Sequence, residues 1–126
     1  MNKKFLILIL IGVILLGGVS FFFLQNKNNQ PVDTNGIILF YGIGCPYCAK
    51  VDEFIKENDV EAKVDFVRKE IRLNQRNAEL FLKLTKECGI ADKDTGIPLL
   101  WDGSSSKCII GDKDIIQFFK EKISSE

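Results

Sequence analysis

The sequence predicts an α/β domain, a mixed sheet with helices on both faces in the order β-α-β-α-β-β-α, preceded by one transmembrane helix. Three observations carry this expectation. Residues 5–24 contain no charge and only one polar side chain, Ser20. Ile37-Ile38-Leu39-Phe40 is a short, unbroken apolar run between turn residues, the pattern of a strand buried on both faces and central in its sheet. Shortly after it, Cys-Pro-Tyr-Cys opens a segment in which Val51, Phe54 and Ile55 recur at helical spacing.

The first 24 residues read as a cytoplasmic tip and signal-anchor. As a helix rising ~1.5 Å per residue, the apolar run spans ~30 Å, the thickness of a bilayer's hydrocarbon core. Gly18-Val19-Ser20 imitates a signal-peptide cleavage site, but Phe21-Phe22-Phe23-Leu24 continues the run past it, so an uncleaved anchor is expected. Lys3 and Lys4 precede the run and only Lys27 follows closely, which keeps the amino terminus cytoplasmic and the domain outside. Residues 25–35 are a polar linker rich in Asn and Gln, with an r.m.s. span of ~18 Å if flexible.

Residues 36–126 form the domain, with room for one small core. After the first strand and helix, Ala62, Val64 and Phe66 alternate with Lys63 and Asp65 as in a second strand. A second helix is expected from about Asn74 to Cys88, with Phe81, Leu84 and Cys88 as its apolar stripe and Gly89 as its stop. Leu99-Leu100-Trp101 and Cys108-Ile109-Ile110 read as strands joined by a turn. Asp112 is placed to cap a final helix facing inward with Ile115, Ile116, Phe119 and Ile123.

Lys plus Arg and Asp plus Glu both number 17, but Lys3, Lys4 and Lys27 precede the first acidic residue, Asp33. The domain is therefore slightly acidic and carries no basic run, so no nucleic-acid partner is expected. The absence of histidine removes His-based triads and most catalytic zinc sites.

Cys45 and Cys48 are the candidate catalytic residues. A cysteine at a helix N-cap lies near unpaired backbone N–H groups and the positive end of the helix dipole, which favour its thiolate. Pro46 falls at the first helical position, where its missing N–H is harmless. Cys48, one turn deeper, is close enough to form a disulfide with Cys45. The roles follow: Cys45, exposed, attacks and Cys48, more buried, resolves the mixed disulfide. The alternative is a metal centre built from the same cysteines, which without histidine would draw on Cys88, Cys108 or carboxylates. Cys88 and Cys108 are expected to be unpaired or non-catalytic thiols, with a structural disulfide between them as the alternative outside the cytoplasm.

Phe40-Tyr41-Gly42-Ile43-Gly44-Cys45-Pro46-Tyr47-Cys48 resembles the active-site segment of dithiol glutaredoxins, within the thioredoxin superfamily, and the resemblance covers the domain from Ile37 to about Ile123. Gly96-Ile97-Pro98-Leu99 is similar to the family's cis-proline loop. The resemblance implies a thiol–disulfide oxidoreductase with no cofactor beyond the Cys45–Cys48 disulfide, in which Pro98 sits in a cis peptide beside the cysteines. It also implies that Ile97 offers its backbone to an extended substrate; Pro46 and Tyr47 are further candidate substrate-binding residues, Tyr47 contacting a partner or covering the resolving sulfur. Some dithiol glutaredoxins bridge an iron–sulfur cluster with glutathione, the second form of the metal alternative. Three family features are absent: Ile43 stands where a Lys or Arg is usual, Gly111-Asp112 where a Gly-Gly pair and an Asp are common, and Leu39 where thioredoxins bury an Asp. The expected partners are therefore protein thiols and disulfides and an unidentified redox partner, with glutathione weak. Direction of electron flow is not encoded in the motif.

Overall fold

The computed structural model describes residues 2–4, 6–14 and 33–125, and the chain divides into two compact units, Met1–Val32 and Asp33–Glu126. In the first unit, residues 3–4 and 6–14 are helical, and Leu6, Leu8, Leu10 and Ile14 are exposed. Among the described residues no helix is long and apolar enough to cross a membrane. Residues 15–24 of the expected anchor and 25–32 of the expected linker lie outside the described residues.

The second unit runs β1 (Ile37–Tyr41), α1 (Pro46–Glu57), α2 (Val60–Lys63), β2 (Phe66–Glu70), α3 (Gln75–Glu87), a 3₁₀ turn (Asp92–Asp94), β3 (Leu99–Asp102), β4 (Lys107–Ile110) and α4 (Asp112–Ser124). The four strands lie in the order β2-β1-β3-β4. β1 is parallel to β2 and antiparallel to β3, and β3 is antiparallel to β4. The apolar run of β1 is thus flanked on both sides.

Alternation along β1 and β3 divides the core between two faces. Leu39 and Leu100 point to one face, where Val51 and Ile55 of α1 and Ile115 and Phe119 of α4 cover them. Ile38, Phe40, Leu99 and Trp101 point to the other, under Phe81 and Leu84 of α3. The Phe40 and Phe81 rings meet edge to face, with centroids 5.5 Å apart. Helices therefore cover both faces of a small mixed sheet, an architecture compatible with a thioredoxin-like fold.

Local chemistry explains the boundaries. Asn74 caps α3 by accepting from the Asn77 N–H at 3.1 Å. The Asn58 amide closes α1 by donating to the Phe54 carbonyl at 3.0 Å. Gly103 lies against the backbone of Thr34 and Asn35, where any Cβ would collide with the Thr34 carbonyl oxygen. Trp101 Nε1 donates to that same oxygen at 2.8 Å, and Gly103 N–H donates to Gly36 at 3.1 Å, so residues 33–36 are fastened to the end of β3.

Two expectations are corrected. The second strand does not include Ala62 or Val64: residues 60–63 form a helical turn and β2 begins at Phe66. Val60 and Val64 instead enter the α1/α4 core from the ends of that turn, so their apolar character reflects i, i+4 spacing rather than strand alternation. Asp112 is the first residue of α4, not its cap. Gly111 occupies the cap, after its N–H has turned back to the Pro98 carbonyl at 3.0 Å.

Candidate redox site

The parallel strand β1 delivers the chain at Tyr41 into a tight loop, and α1 starts at its far side. Gly42 accepts the Cys45 N–H at 3.2 Å, which turns the chain so that Cys45 becomes the N-cap of α1 with Pro46 at the first helical position. Cys45 and Cys48 are joined as a disulfide, their Cα atoms 5.2 Å apart.

The expected difference in exposure between these cysteines is absent in this oxidised state: each is 8% exposed. The asymmetry lies in the backbone. Cys48 N–H points at Cys45 Sγ, 3.2 Å away, while Cys45 stands at the positive end of α1. A backbone N–H and the positive end of α1 are thus both directed at the sulfur of Cys45.

The Ile97–Pro98 peptide bond is cis. The Ile97 carbonyl oxygen lies 3.8 Å from Cys45 Sγ, within reach of its S–H when the pair is reduced. Cys45 and the Ile97 carbonyl are therefore brought together from segments 52 positions apart. Tyr47 is 56% exposed, and the Lys50 ammonium lies 5.2 Å from its ring centroid.

A cavity of about 170 Å³ opens beside the disulfide, bounded by Tyr41, Gly44, Cys45, Cys48, Asp52 and Arg68 among others. Arg68 pairs with Asp52 and stacks over the Tyr41 ring at 5.2 Å. The Lys56 ammonium, 2.9 Å from Asp52, is the main influence holding that carboxyl below the ordinary range; partial burial opposes it and Arg68 adds to it.

Three residues that sequence reasoning did not single out fix the loop ahead of Cys45. Glu70, at the end of β2, accepts N–H groups from Ile43 at 3.4 Å, Arg72 at 2.8 Å and Leu73 at 2.7 Å. Burial pushes its carboxyl upward, but these backbone donors and that of Asn74 outweigh it and leave the group below its ordinary value. Arg72 Nη1 donates to the Ile43 carbonyl at 2.7 Å. A Cβ on Gly42 would lie 2.6 Å from Ile97 Cδ1 and 2.8 Å from Arg72 Nε, so the small residue lets these segments converge. Glu70 and Ile43 are 27 positions apart and share no motif, so no local signal betrays the pairing.

Cys88 and Cys108 correct the expectation of unpaired thiols, because they form a second disulfide with Cα atoms 6.0 Å apart. Cys88 ends the α3 stripe as the helix C-cap, and Cys108 projects toward the same side of the sheet as Trp101, under that helix. The cysteines are thus paired as separate bridges and not gathered at one centre. Among the described residues no cluster of three or more His, Cys, Asp or Glu side chains is arranged to hold a metal ion.

Compared with protein-family models and with curated proteins, the chain matches none.

Proposed function

We propose that this protein is a membrane-tethered thiol–disulfide oxidoreductase of glutaredoxin-like type, acting on protein disulfides outside the cytoplasm. The observation that carries the reading is the Cys45–Cys48 disulfide at the N-terminus of α1, with the Cys48 N–H directed at Cys45 Sγ. That arrangement is compatible with redox exchange, and it gives the two sulfurs different chemistry.

In the reducing direction, the Cys45 thiolate attacks one sulfur of a substrate disulfide and expels the other as a thiolate, leaving a mixed disulfide. Cys48 then loses its proton and attacks Cys45 Sγ. The second substrate thiolate departs, the Cys45–Cys48 bond forms, and two electrons have passed to the substrate. The same steps run backwards oxidise a dithiol. The backbone of Ile97, beside Cys45 Sγ, supports the approach of an extended polypeptide, flanked by Pro46, Tyr47 and Pro98.

Glutathione is the weaker partner in this reading. Ile43 supplies no charge, and the nearby Arg72 already commits one donor to the Ile43 carbonyl. Each missing charge-assisted hydrogen bond costs ~1.5–3 kcal/mol, about one to two orders of magnitude in affinity. The anchor rests on the apolar run of residues 5–24 and the placement of Lys3 and Lys4.

A Cys48→Ser variant tests the reading, because attack by Cys45 then leaves mixed disulfides that cannot resolve. Protein adducts are expected from cells. Recovery of glutathione adducts alone, or of none, refutes it. Titration of the Cys45/Cys48 couple against glutathione buffers then gives the direction of electron flow.

A further inference from the structure

The segment from Cys88 to Pro98 carries Ile97 to the redox pair, yet its own backbone holds it lightly. Gly89 and Ile90 donate back to the last turn of α3, and Asp94 and Thr95 donate only within the segment, to Ala91 and Asp92. Residues 91–94 are exposed. β4 and the residue after it tie the segment at both ends, beyond the contacts of Ile97 itself and the entry into β3 at Leu99. At the near end, the Cys88–Cys108 disulfide bonds it to the second residue of β4. At the far end, Gly111 N–H, just past β4, donates to the Pro98 carbonyl at 3.0 Å. Between these points Ile90 and Ile97 pack against the α3-side core together with Cys88 and Cys108.

We propose that the Cys88–Cys108 disulfide is a positioning brace that sets where the Ile97 backbone stands against Cys45. Its integrity then governs recognition of a polypeptide disulfide, and not the exchange chemistry of Cys45 and Cys48. This inference rests on the oxidoreductase reading. A small disulfide needs only the two redox sulfurs, whereas an extended chain must also meet the backbone at Ile97, so displacing that backbone weakens binding of the chain and leaves the sulfur chemistry in place.

The experiment compares the full-length protein with its Cys88→Ala/Cys108→Ala double variant. With a small dithiol as the electron donor, at a concentration that leaves the parent's Cys88–Cys108 bond intact, turnover is measured on bis-hydroxyethyl disulfide and on a synthetic disulfide-linked peptide, and hydrogen exchange is measured across residues 89–97. The brace predicts a KM for the peptide raised about tenfold with kcat little changed, the signature of lost binding. It also predicts small-disulfide turnover within about twofold of the parent, and faster amide exchange at residues 95–97 in the double variant than in the parent, with exchange in the sheet unchanged. Parallel loss on both substrates, or unchanged peptide KM and exchange, overturns it. If the double variant does not fold, Cys88→Val/Cys108→Ala, which keeps apolar bulk at the helix end, replaces it. Failure of both to fold makes the bridge a staple of the whole domain and also overturns the proposal. Inactivity of the parent on both disulfides would instead overturn the oxidoreductase reading, while the exchange measurement still judges the brace.

Discussion

Glu70 accepts the backbone N–H of Ile43 from across the sheet's parallel pair, so the end of β2 and the loop before Cys45 share one carboxylate. The same carboxylate takes the Arg72 and Leu73 N–H groups, and Arg72 returns a bond to the Ile43 carbonyl. Both backbone groups of Ile43 are thereby held.

This clamp should have a defined acid limit. The folded-state pKa of Glu70 lies below its ordinary 4.5, so its contribution is fully present above about pH 4.5 and is lost as pH falls through the lower folded value. The amide proton shifts of Ile43, Arg72 and Leu73 are expected to titrate together with a midpoint under that figure, and Glu70→Gln should abolish the common transition. Independent midpoints, or one above it, would contradict the clamp.

Two glycines should respond differently to one added methyl group. In Gly103→Ala the new Cβ meets the backbone of Thr34 and Asn35, which cannot rotate away, and ~2–3 kcal/mol of stability should be lost. In Gly42→Ala it meets the side-chain ends of Ile97 and Arg72, which can shift, at a cost of ~1 kcal/mol. Because Gly42 accepts the Cys45 N–H and Arg72 holds the Ile43 carbonyl in the same loop, thiol-exchange rate should drop more in Gly42→Ala than in Gly103→Ala. Denaturant curves paired with exchange kinetics check the crossover.

Removing the second disulfide should lower stability as well as loosen the Ile97 segment. Cys88 and Cys108 are separated by 20 positions, for which constraint of the unfolded chain amounts to ~3 kcal/mol. Urea unfolding of the double alanine variant, with Cys45 and Cys48 in the same redox state as the parent, measures it. A loss under about 1 kcal/mol would show that the bridge does not restrain the unfolded chain as that account requires.

Membrane topology is directly measurable. Protease added to cells stripped of any outer layer should digest the domain, and the mature protein should retain Lys3 and Lys4. Full protection, or an amino terminus beginning near Phe21, refutes the uncleaved outward-facing anchor.

The parts of the fold that were legible in the sequence are those governed by local pattern. The buried run of β1, the start of α3 near Asn74 and the inward positions of α4 follow from periodicity. The second strand was started too early because Ala62 and Val64 alternate with charged residues ahead of Phe66, while over so short a stretch Val64 equally completes a helical turn begun at Val60. In the site, Cys45, Pro46 and Cys48 announce themselves by spacing. Glu70 and Arg72 do not, since their partners are carbonyl and amide groups that every residue possesses. The Cys88–Cys108 bond required knowing that the end of α3 lies over β4, which no pattern within either element encodes.

The fastening of residues 33–36 to Trp101 and Gly103 has a mechanical consequence. Those residues lead into β1 at the end remote from Cys45, and β1 is five residues long, or ~17 Å. Tension applied between Asp33 and Cys45 would therefore load β1 along its own axis. Its hydrogen bonds to β2 on one side and β3 on the other run across that axis. They would resist such tension in shear, all together, instead of opening one by one like a zip.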